Sequence, residues 1–428
     1  MSGTDSLGRP IVVVTGTGVI TSLGQGQRDN WRALTGGVSG IHRITRFPIG
    51  GLRTTIAGTV DFIPVEEQSA PALAQRLAEL VIEEALGESG IGRMGDFPGP
   101  LFLALPPVEL EWPQRRALAH AAVPPAGTNG TVTYDGMIQA AATGFKPWYS
   151  RFLFGSVGEA LAERFGTKGS PIATSTACAS GGTAIQLGVE AIRRGEAEAA
   201  LVVGTDASVN PESLIRFSLL SALSTRNDPP EAAARPFSKD RDGFVMAEGA
   251  GALVLESLAH ARARGATILG VVEGCGEAAD GFHRTRSSPD GKPIIACMTR
   301  ALADSGLTPD AIGYVNAHGT GTPENDKMEW FGISAVFGER ALSLPVSSNK
   351  SMIGHTLTAA GAVEAVFSLY TMRHGLLPPT INFDTPDPAL PLDCVPNTAR
   401  AAVVKHAISN SFGFGGQNVC LVLGAEPS

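Results

Sequence analysis

Short apolar segments of strand length alternate with longer segments of helical apolar spacing along most of this chain. Ile11–Thr15, Ala200–Val203 and Ile312–Val315 are mainly apolar, and each is followed by glycine or a polar residue. Ala74–Leu86, in contrast, has the apolar spacing of a helix. Strands that are apolar throughout need cover on both faces, which helices supply. The alternation therefore predicts a layered α/β architecture.

Glycine and proline mark the predicted interruptions of this pattern. Gly16-Thr17-Gly18 is predicted to be a turn that ends the first strand. Seven prolines fall within residues 95–135, which predicts an irregular, loop-rich excursion. A long loop in a compact α/β protein is commonly functional or forms an interface.

A boundary between two halves is predicted near residue 266. Ala263–Thr267 has the character of a helix end, and a new strand, Ile268–Val272, follows it. This divides the chain into 1–266 and 267–428. No repeat between the halves is visible in the sequence.

Composition excludes several classes of protein. The net charge is -8 and only 17% of residues are charged, with no basic stripe for nucleic acid. The five cysteines form no CxxC pair, which disfavours a disulfide scaffold or structural zinc and favours a reducing compartment. No apolar run approaches the roughly 18 residues of a membrane span. A cytoplasmic protein is therefore predicted.

One cysteine stands out by its position. Cys178 lies in Ser175–Gly182, just before the long apolar helical pattern Thr183–Ile192. At such a strand-to-helix turn, backbone N–H groups and the positive end of the helix dipole favour thiolate over thiol. Gly181 and Gly182 let other backbone come close. The motif alone fits either a reactive thiol or a buried packing cysteine.

Two histidines lie among small and hydroxylated residues. His318, in Asn316–Pro323, follows a predicted buried strand and is expected at the strand edge where α/β folds form clefts. His355 lies five residues after Lys350 at a loop-to-helix junction. The small residues Ala359–Ala362 predict a closely packed helix there. Each histidine taken alone also fits a structural role, and Lys350 alone fits a surface lysine.

The segment Asn410–Asn418 places three glycines around Phe412 and Phe414. It lacks the Lys-Ser/Thr ending of a phosphate-binding P-loop. It fits either an ordinary turn anchored by its aromatic side chains or, beside a pocket, a mobile gate.

In this order, the four motifs resemble those of the β-ketoacyl-[acyl-carrier-protein] synthases, particularly the elongating synthase II type. The resemblance runs from Val12–Gly16 to the Phe-Gly-Phe-Gly-Gly loop and includes Ala222–Asp228, Arg235–Phe237, Arg241–Phe244 and Pro378–Asn382. It implies a thiolase-like fold, with two similar α/β halves in a layered α-β-α-β-α arrangement. It also implies a dimer, either homomeric or heteromeric.

The implied reaction is a decarboxylative Claisen condensation that elongates an acyl chain by two carbons. Cys178 would hold the acyl chain, and His318 and His355, supported by Lys350, would assist decarboxylation of malonyl-ACP. The N–H groups of Cys178 and Phe414 would form the oxyanion hole, and Phe414 would also be the gate. The other implied residues are Glu364 near Lys350, Thr320 and Thr322 at the pantetheine arm, and Phe217 and His283 at the acyl pocket and entrance.

The implied partner is the acyl carrier protein, which brings both acyl-ACP and malonyl-ACP. The resemblance implies no metal and no redox cofactor, since the carrier supplies the phosphopantetheine.

Several departures from the family pattern concern chain length and carrier. Residues 95–135 do not resemble the usual synthase II segment, and Ser213 and Arg216 stand where glycines are usual. Basic carrier-docking residues are not obvious, because Ser69, Ala70 and Ser221 stand near their places; Arg76, Arg216 and Lys146 are candidate substitutes. An alternative is therefore an active subunit for very long or polyketide-like chains, with a dedicated carrier or partner subunit.

Three related classes fit the sequence less well. A thiolase should carry a second catalytic cysteine in a Cys-x-Gly motif, whereas Cys420 is followed by Leu421-Val422. A starter-type synthase would have asparagine in place of His355. A chain-length-setting partner subunit usually lacks the active cysteine, and Cys178 is present here.

Overall fold

The computed structural model describes residues 3–65, 69–92, 95–122, 124, 129–145 and 150–427. The strands are β1 Val12–Thr21, β2 Gly24–Gln25, β3 His42–Arg43, β4 Ile56–Ala57, β5 Leu101–Ala104, β6 Ile172–Thr174, β7 Ala199–Asp206, β8 Gly249–Ser257, β9 Gly270–Ala279, β10 Tyr314–Asn316, β11 Pro345–Ser347, β12 Leu376–Leu377, β13 Asp393–Cys394, β14 Arg400–Ala401, β15 His406–Phe412 and β16 Gln417–Gly424.

The helices are α1 Gln27–Thr35, α2 Ala70–Ser89, α3 Trp112–Ala121, α4 Tyr134–Gly144, α5 Ser156–Phe165, α6 Ser180–Arg193, α7 Pro211–Leu219, α8 Leu258–Ala263, α9 Lys292–Ser305, α10 Pro323–Phe337, α11 Lys350–Ile353 and α12 Ala360–His374. Short 3-10 turns include Ala177–Ala179 and Leu357–Ala359, each directly before a central helix.

The long strands form one mixed sheet whose order shows two similar halves. The order is β13-β11-β10-β15-β16-β9-β1-β8-β7-β5-β6, with β2 beside β1. Read outward from the β1–β9 pair, each half has two antiparallel pairings followed by two parallel ones, and the second half adds a third parallel pairing between β11 and β13. The predicted pair of similar α/β halves is confirmed. The division of the chain at residue 266 stays a prediction.

Helices cover both halves and also fill the space between them. α6 and α12 contact each other and strands of both halves, and residues 360–372 of α12 are buried. α2 and α5 pack on the outer face of the first half, and α9 packs on that of the second with α10 against it. This is the predicted α-β-α-β-α layering.

The strand period of two divides the core among these layers. On β5, Leu101 and Leu103 join the outer cluster under α2, whereas Phe102 and Ala104 join the central cluster around α6 and α12. Every residue of β5 is buried. Apolar residues at consecutive positions are thus explained by cover on both faces.

The two central helices cross at glycines near their N-termini. A Cβ added to Gly361 would lie 2.4 Å from the Gly182 nitrogen, and one added to Gly181 would lie 2.5 Å from the Ala362 nitrogen. The close approach expected from Gly181, Gly182 and the small residues Ala359–Ala362 is therefore confirmed.

The turn predicted at Gly16–Gly18 is wrong, because β1 continues through it to Thr21. A Cβ at Gly16 would lie 2.1 Å from the Ala85 oxygen, and one at Gly18 would lie 2.0 Å from the Val81 oxygen. These glycines let helix α2 lie directly against the strand. Close packing, and not a chain reversal, is what requires glycine here.

The loop-rich excursion predicted for 95–135 is wrong in part, because regular elements interrupt it. The segment contains β5, which pairs with both β6 and β7, and the helix α3. Pro113 lies in the first turn of α3, where a missing N–H costs no hydrogen bond. The prolines therefore bracket regular elements, and Pro125 lies outside the described residues.

All five cysteines lie within the described ranges, and each is a free thiol. In the part of the chain that the structure describes, no helix combines the length and apolarity that crossing a membrane requires.

Candidate active site

Cys178 lies in the short turn between β6 and the central helix α6. The residue before it, Ala177, has φ of 49°, a left-handed conformation that L side chains rarely adopt. Ser180 stabilises the turn, since its Oγ accepts the Thr176 N–H at 2.8 Å and donates to the Ala177 carbonyl at 2.6 Å. The strand-to-helix position predicted for Cys178 is confirmed, and the side chain is buried.

His318 follows strand β10 and is held through its backbone. Glu329 on α10 accepts the His318 N–H at 2.8 Å and the Gly319 N–H at 2.7 Å. Asn410 of β15 donates to the same carboxylate at 3.1 Å. These contacts fix the loop that carries the imidazole at the carboxyl edge of the sheet.

His355 is held by backbone pairing with the segment that precedes β8. Its N–H donates to the Val245 carbonyl at 2.7 Å, and its carbonyl accepts the Ala247 N–H at 2.9 Å. The Nδ1 atom accepts the Leu357 N–H at 3.2 Å. The neutral ring therefore carries its proton on Nε2, which lies 3.1 Å from Cys178 Sγ.

The three side chains converge on one point. The His318 and His355 rings lie 5.2 Å apart, edge to face. Donor atoms of Cys178, His318 and His355 all lie within 4.8 Å of one another. These residue types also occur in metal sites, but His355 Nε2 carries a proton directed at sulfur, which suits hydrogen bonding better than coordination.

Both imidazoles are held neutral. Burial lowers the pKa of His318 and of His355 well below the usual value, and the nearby Lys350 ammonium lowers both further. Lys350 is itself buried and forms an ion pair with Glu364, which is fully buried. Burial raises the pKa of Glu364 to about 7, against the opposing effect of Lys350. A neutral imidazole has one N–H that donates a hydrogen bond and one ring nitrogen that accepts one.

The thiolate predicted for Cys178 is not favoured in this state. Burial raises the pKa of its thiol to about 11, and the Asp206 charge raises it too. Lys350 and the backbone N–H groups of Phe414 and of Cys178 itself act in the opposite direction. Desolvation outweighs these donors, so the resting group is a thiol whose sulfur already faces two backbone N–H groups as well as His355 Nε2–H.

A narrow cavity leads to the three residues from one side. It has a volume of about 60 Å³ and is lined by Thr320, Thr322 and His283 together with the triad. The Thr320 and Thr322 hydroxyls lie 2.9 Å apart. This end of the site has the shape of an entrance, and His283 lies here.

A larger cavity of about 580 Å³ opens on the other side of Cys178. Phe217 and Phe414 line both cavities, and their rings lie 6.4 Å apart. Phe414 belongs to the turn between β15 and β16. Because it lines both cavities, it lies at the boundary between the entrance and the larger cavity.

The residues that depart from the family pattern occupy varied places. Arg216 and Ser213 line the larger cavity, where Arg216 pairs with Glu109. Ser69 caps α2, accepting the Ala72 N–H at 3.3 Å, and Arg76 pairs with Glu79. Ala70 begins α2, Ser221 is exposed, and Lys146 lies outside the described residues.

Two supporting acids were missed from the sequence. Glu329 interrupts an apolar run, Met328–Ile333, and an isolated acid in such a run is a usable signal. Asp206, at the end of β7, accepts the Thr358 hydroxyl at 2.7 Å and the Ser208 N–H at 2.9 Å. It ties strand β7 to the turn before α12, and burial raises its pKa.

Two matches to known families cover more than half of the chain. Residues 142–261 match the family described as beta-ketoacyl synthase, N-terminal domain. Residues 269–384 match beta-ketoacyl synthase, C-terminal domain.

Curated relatives match over nearly their full length. A 3-oxoacyl-[acyl-carrier-protein] synthase 2 of Coxiella burnetii is 36% identical, over 96% of this chain and 98% of that protein. The tetracenomycin polyketide synthase ketoacyl synthase alpha subunit of Streptomyces glaucescens is also 36% identical, over 96% of each chain.

A solved structure has the same fold. It is a type II polyketide synthase acyl-carrier protein in complex with its ketosynthase bound to the hexaketide, with a TM-score of 0.86 and 31% identity. The match covers 98% of this chain and all of that one. The thiolase-like prediction for the fold is confirmed by this likeness.

Proposed function

The chain belongs to the β-ketoacyl synthase family, and on this premise we propose that it condenses a Cys178-bound acyl chain with malonyl-ACP. The observation that carries the proposal is the convergence of one thiol and two neutral imidazoles between a narrow cavity and a larger one. The product is a β-ketoacyl-ACP, longer by two carbons.

The first step is acyl transfer. The sulfur of Cys178 attacks the thioester carbonyl of acyl-ACP, and the oxyanion that forms accepts N–H bonds from Cys178 and Phe414. The carbon–sulfur bond to pantetheine then breaks, and the thiol proton leaves on the pantetheine sulfur. The acyl chain extends into the cavity of about 580 Å³.

The second step is condensation. Malonyl-ACP loses carbon dioxide, and the enolate oxygen accepts hydrogen bonds from His318 and His355 while Lys350 contributes a nearby positive charge. The enolate carbon attacks the acyl carbonyl, the carbon–sulfur bond to Cys178 breaks, and the thiolate that leaves takes a proton from solvent. Rotation of Phe414 would open the entrance between the two steps.

The carrier enters beside two exposed arginines. Arg284 and Arg286 line the entrance together with Thr320 and Thr322, and neither forms an ion pair with another described residue. They are suited to an acidic carrier and to the phosphate of its pantetheine arm. Arg216, in contrast, is engaged with Glu109 at the cavity.

Phosphopantetheine arrives with the carrier, and the proposed steps use no metal and no redox cofactor. We assign the activity to the cytoplasm and to a dimer, homomeric or heteromeric. The alternative, an active subunit with a dedicated carrier or partner for very long or polyketide-like chains, is favoured by the polar side chains Ser213 and Arg216 in the cavity.

Single substitution of His318 or His355 by alanine tests the division of labour. Each variant should still take an acyl group onto Cys178, while β-ketoacyl product formation falls about 10²–10³-fold, because an oxyanion donor is lost. Acyl loading is read by intact-protein mass and product by chromatography. Equal loss of loading and condensation would contradict the assignment.

A further inference from the structure

The short turn Leu357–Ala359, which follows His355, contains a strained residue. Leu357 has φ of 48°, in the left-handed region that L side chains rarely adopt. A residue in such a conformation persists only where the surrounding structure holds it there. The same turn supplies the N–H group that His355 Nδ1 accepts. What holds the turn therefore also bears on the imidazole.

Asp206 at the end of β7 is bonded to this turn. Its fully buried carboxyl group accepts the Thr358 N–H at 3.1 Å and lies 2.7 Å from the Thr358 hydroxyl, both through Oδ2. The other oxygen accepts the Ser208 N–H at 2.9 Å. The Thr358 hydroxyl also lies 2.9 Å from the Thr205 carbonyl, which is a second acceptor for it. The Thr358 N–H, in contrast, is paired with Asp206.

The bond to Asp206 and the bond to His355 are linked through the backbone of Leu357. The Leu357 N–H and the Thr358 N–H flank the α-carbon of Leu357, so its φ and ψ angles set how the two groups point. The first donates to His355 Nδ1 at 3.2 Å while the second donates to Asp206. Without Asp206, Leu357 can relax to a negative φ, which turns the two N–H groups relative to each other and breaks this arrangement.

The N–H that reaches Nδ1 decides what the other ring nitrogen of His355 can do. A neutral imidazole whose Nδ1 accepts a hydrogen bond carries its proton on Nε2. That nitrogen lies 3.1 Å from Cys178 Sγ and, in the proposed condensation, donates to the enolate oxygen. If Nδ1 loses its donor, the proton can move to Nδ1, and Nε2 then offers the enolate an acceptor in place of a donor.

We propose that Asp206 is a positioning residue for His355, which keeps Nε2 protonated for condensation by holding the turn Leu357–Ala359. This deepens the proposed function and rests on it, because the enolate belongs to the second half-reaction. Asp206 acts through Thr358 and Leu357 and takes no part in bond making.

Asp206 has a second effect, on Cys178, that can be separated from the first. Its charge raises the pKa of the Cys178 thiol. Removal of the charge favours the thiolate and should not slow acyl transfer to the sulfur. Loss of the His355 donor slows condensation only. Separate measurement of the two half-reactions therefore distinguishes the two effects.

Asp206→Ala and Asp206→Asn test the assignment in the full-length protein. Alanine removes both acceptor oxygens, whereas the asparagine amide has a single acceptor and cannot serve both Ser208 and Thr358. Acyl loading of Cys178 from acyl-ACP is followed by intact-protein mass, and product formation from the preloaded protein with malonyl-ACP is followed by chromatography. Loading should stay within about threefold of wild type, while condensation falls about ten- to hundredfold in Asp206→Ala and less in Asp206→Asn.

Thr205→Val is the matched control. Thr205 precedes Asp206 on β7 and is equally buried, but its hydroxyl donates to the Ala74 carbonyl of α2 at 2.8 Å, on the outer face of the sheet. This variant loses a buried hydrogen bond without releasing the turn. It should load and condense at the wild-type rates.

A double-mutant cycle with His355→Ala tests whether Asp206 acts through the imidazole. If it does, Asp206→Ala should lower the condensation rate no further once His355 is absent. A further fall by the same factor, which a general distortion of the site would produce, overturns the positioning role.

The remaining outcomes also decide. Equal loss of loading and condensation in both Asp206 variants, or failure of both to fold, assigns Asp206 to support of the fold and overturns the positioning role. Unchanged condensation in Asp206→Ala, or in Asp206→Asn where alanine prevents folding, overturns it as well. In these cases the condensing function stands, because wild type still condenses. If wild type takes no acyl group onto Cys178, the proposed function itself fails.

Discussion

Buried carboxylates are the residues on which the active-site loops depend most. Glu329 is fully buried and accepts the backbone N–H groups of His318 and Gly319. Burial raises the pKa of Glu329 to about 7 in spite of these donors. The folded protein therefore binds this proton more tightly than the unfolded chain, whose glutamate titrates near 4.5.

A pH-dependent stability follows from this difference. Because the folded-state pKa is raised, the free energy of unfolding should fall as pH rises from about 4.5 to about 7, with Glu329 accounting for about 3 kcal/mol. In Glu329→Gln this part of the fall in the free energy of unfolding with pH should be absent. Urea unfolding of both proteins at about pH 5 and about pH 8 measures the difference. An equal change in the free energy of unfolding between the two pH values in both proteins would contradict the role given to Glu329.

At this scale, sequence motifs predicted chemically active side chains better than the residues that position them. Cys178, His318, Lys350 and His355 lie in short motifs of glycine, serine and threonine, so their neighbours in the chain reveal them. Asp206 acts on a loop 152 residues away in the chain, and only the folded topology shows the contact. Glu329 lies 11 residues after His318, but its backbone contact with that loop depends on how α10 packs. The protonation state of Cys178 was misjudged for the same reason, since burial is set by distant residues.

At the scale of elements, the contact between α2 and β1 depends on glycines in the strand. Gly18→Ala would place a Cβ 2.0 Å from the Val81 carbonyl oxygen, and neither backbone can yield without disturbing the sheet. We expect a loss of about 3 kcal/mol or more in the free energy of unfolding. Chemical denaturation measures it.

Gly87→Ala is the matched control on the same helix. Gly87 is exposed on α2, and a Cβ there would meet nothing within 4 Å. This substitution should be neutral or stabilise by up to about 1 kcal/mol, because alanine loses less backbone entropy in a helix. A Gly18→Ala protein as stable as the Gly87→Ala protein would show that α2 does not depend on the close approach.

The errors in predicting elements share one cause. Glycine in β1 and proline around β5 resemble local breaks in the sequence, whereas their positions are explained by the packing of α2 on β1 and by the first turn of α3. The apolar segment of β7, which is buried throughout, was predicted because its composition alone indicates burial.

At the scale of the whole molecule, the two halves share topology without a visible sequence repeat. Strand order constrains only which positions are apolar, and many residues satisfy that requirement. The central helices α6 and α12, both at the junction of the halves, bring Cys178 of one half against His355 of the other. The active site is therefore a product of how the halves meet.

The charge at the entrance should govern encounter with the carrier. Arg286→Glu is expected to raise KM for carrier-linked substrate about tenfold, with a weaker salt dependence, because an exposed rim charge acts on association. With the same acyl group on free pantetheine, Arg286→Glu should have the KM of wild type. The Arg28→Glu variant, changed at an exposed position on α1, should have the wild-type KM for carrier-linked substrate. An equal effect of Arg28→Glu would contradict a specific entrance.

The central claim is that Cys178 carries the acyl chain between two half-reactions. Intact-protein mass of wild type and Cys178→Ala, after incubation with a panel of acyl-ACP and then with malonyl-ACP, tests it most directly. We predict an acyl adduct on wild type alone, cleared by malonyl-ACP with release of a β-ketoacyl product. An adduct that also forms on Cys178→Ala, or no adduct with any acyl chain, would contradict the account.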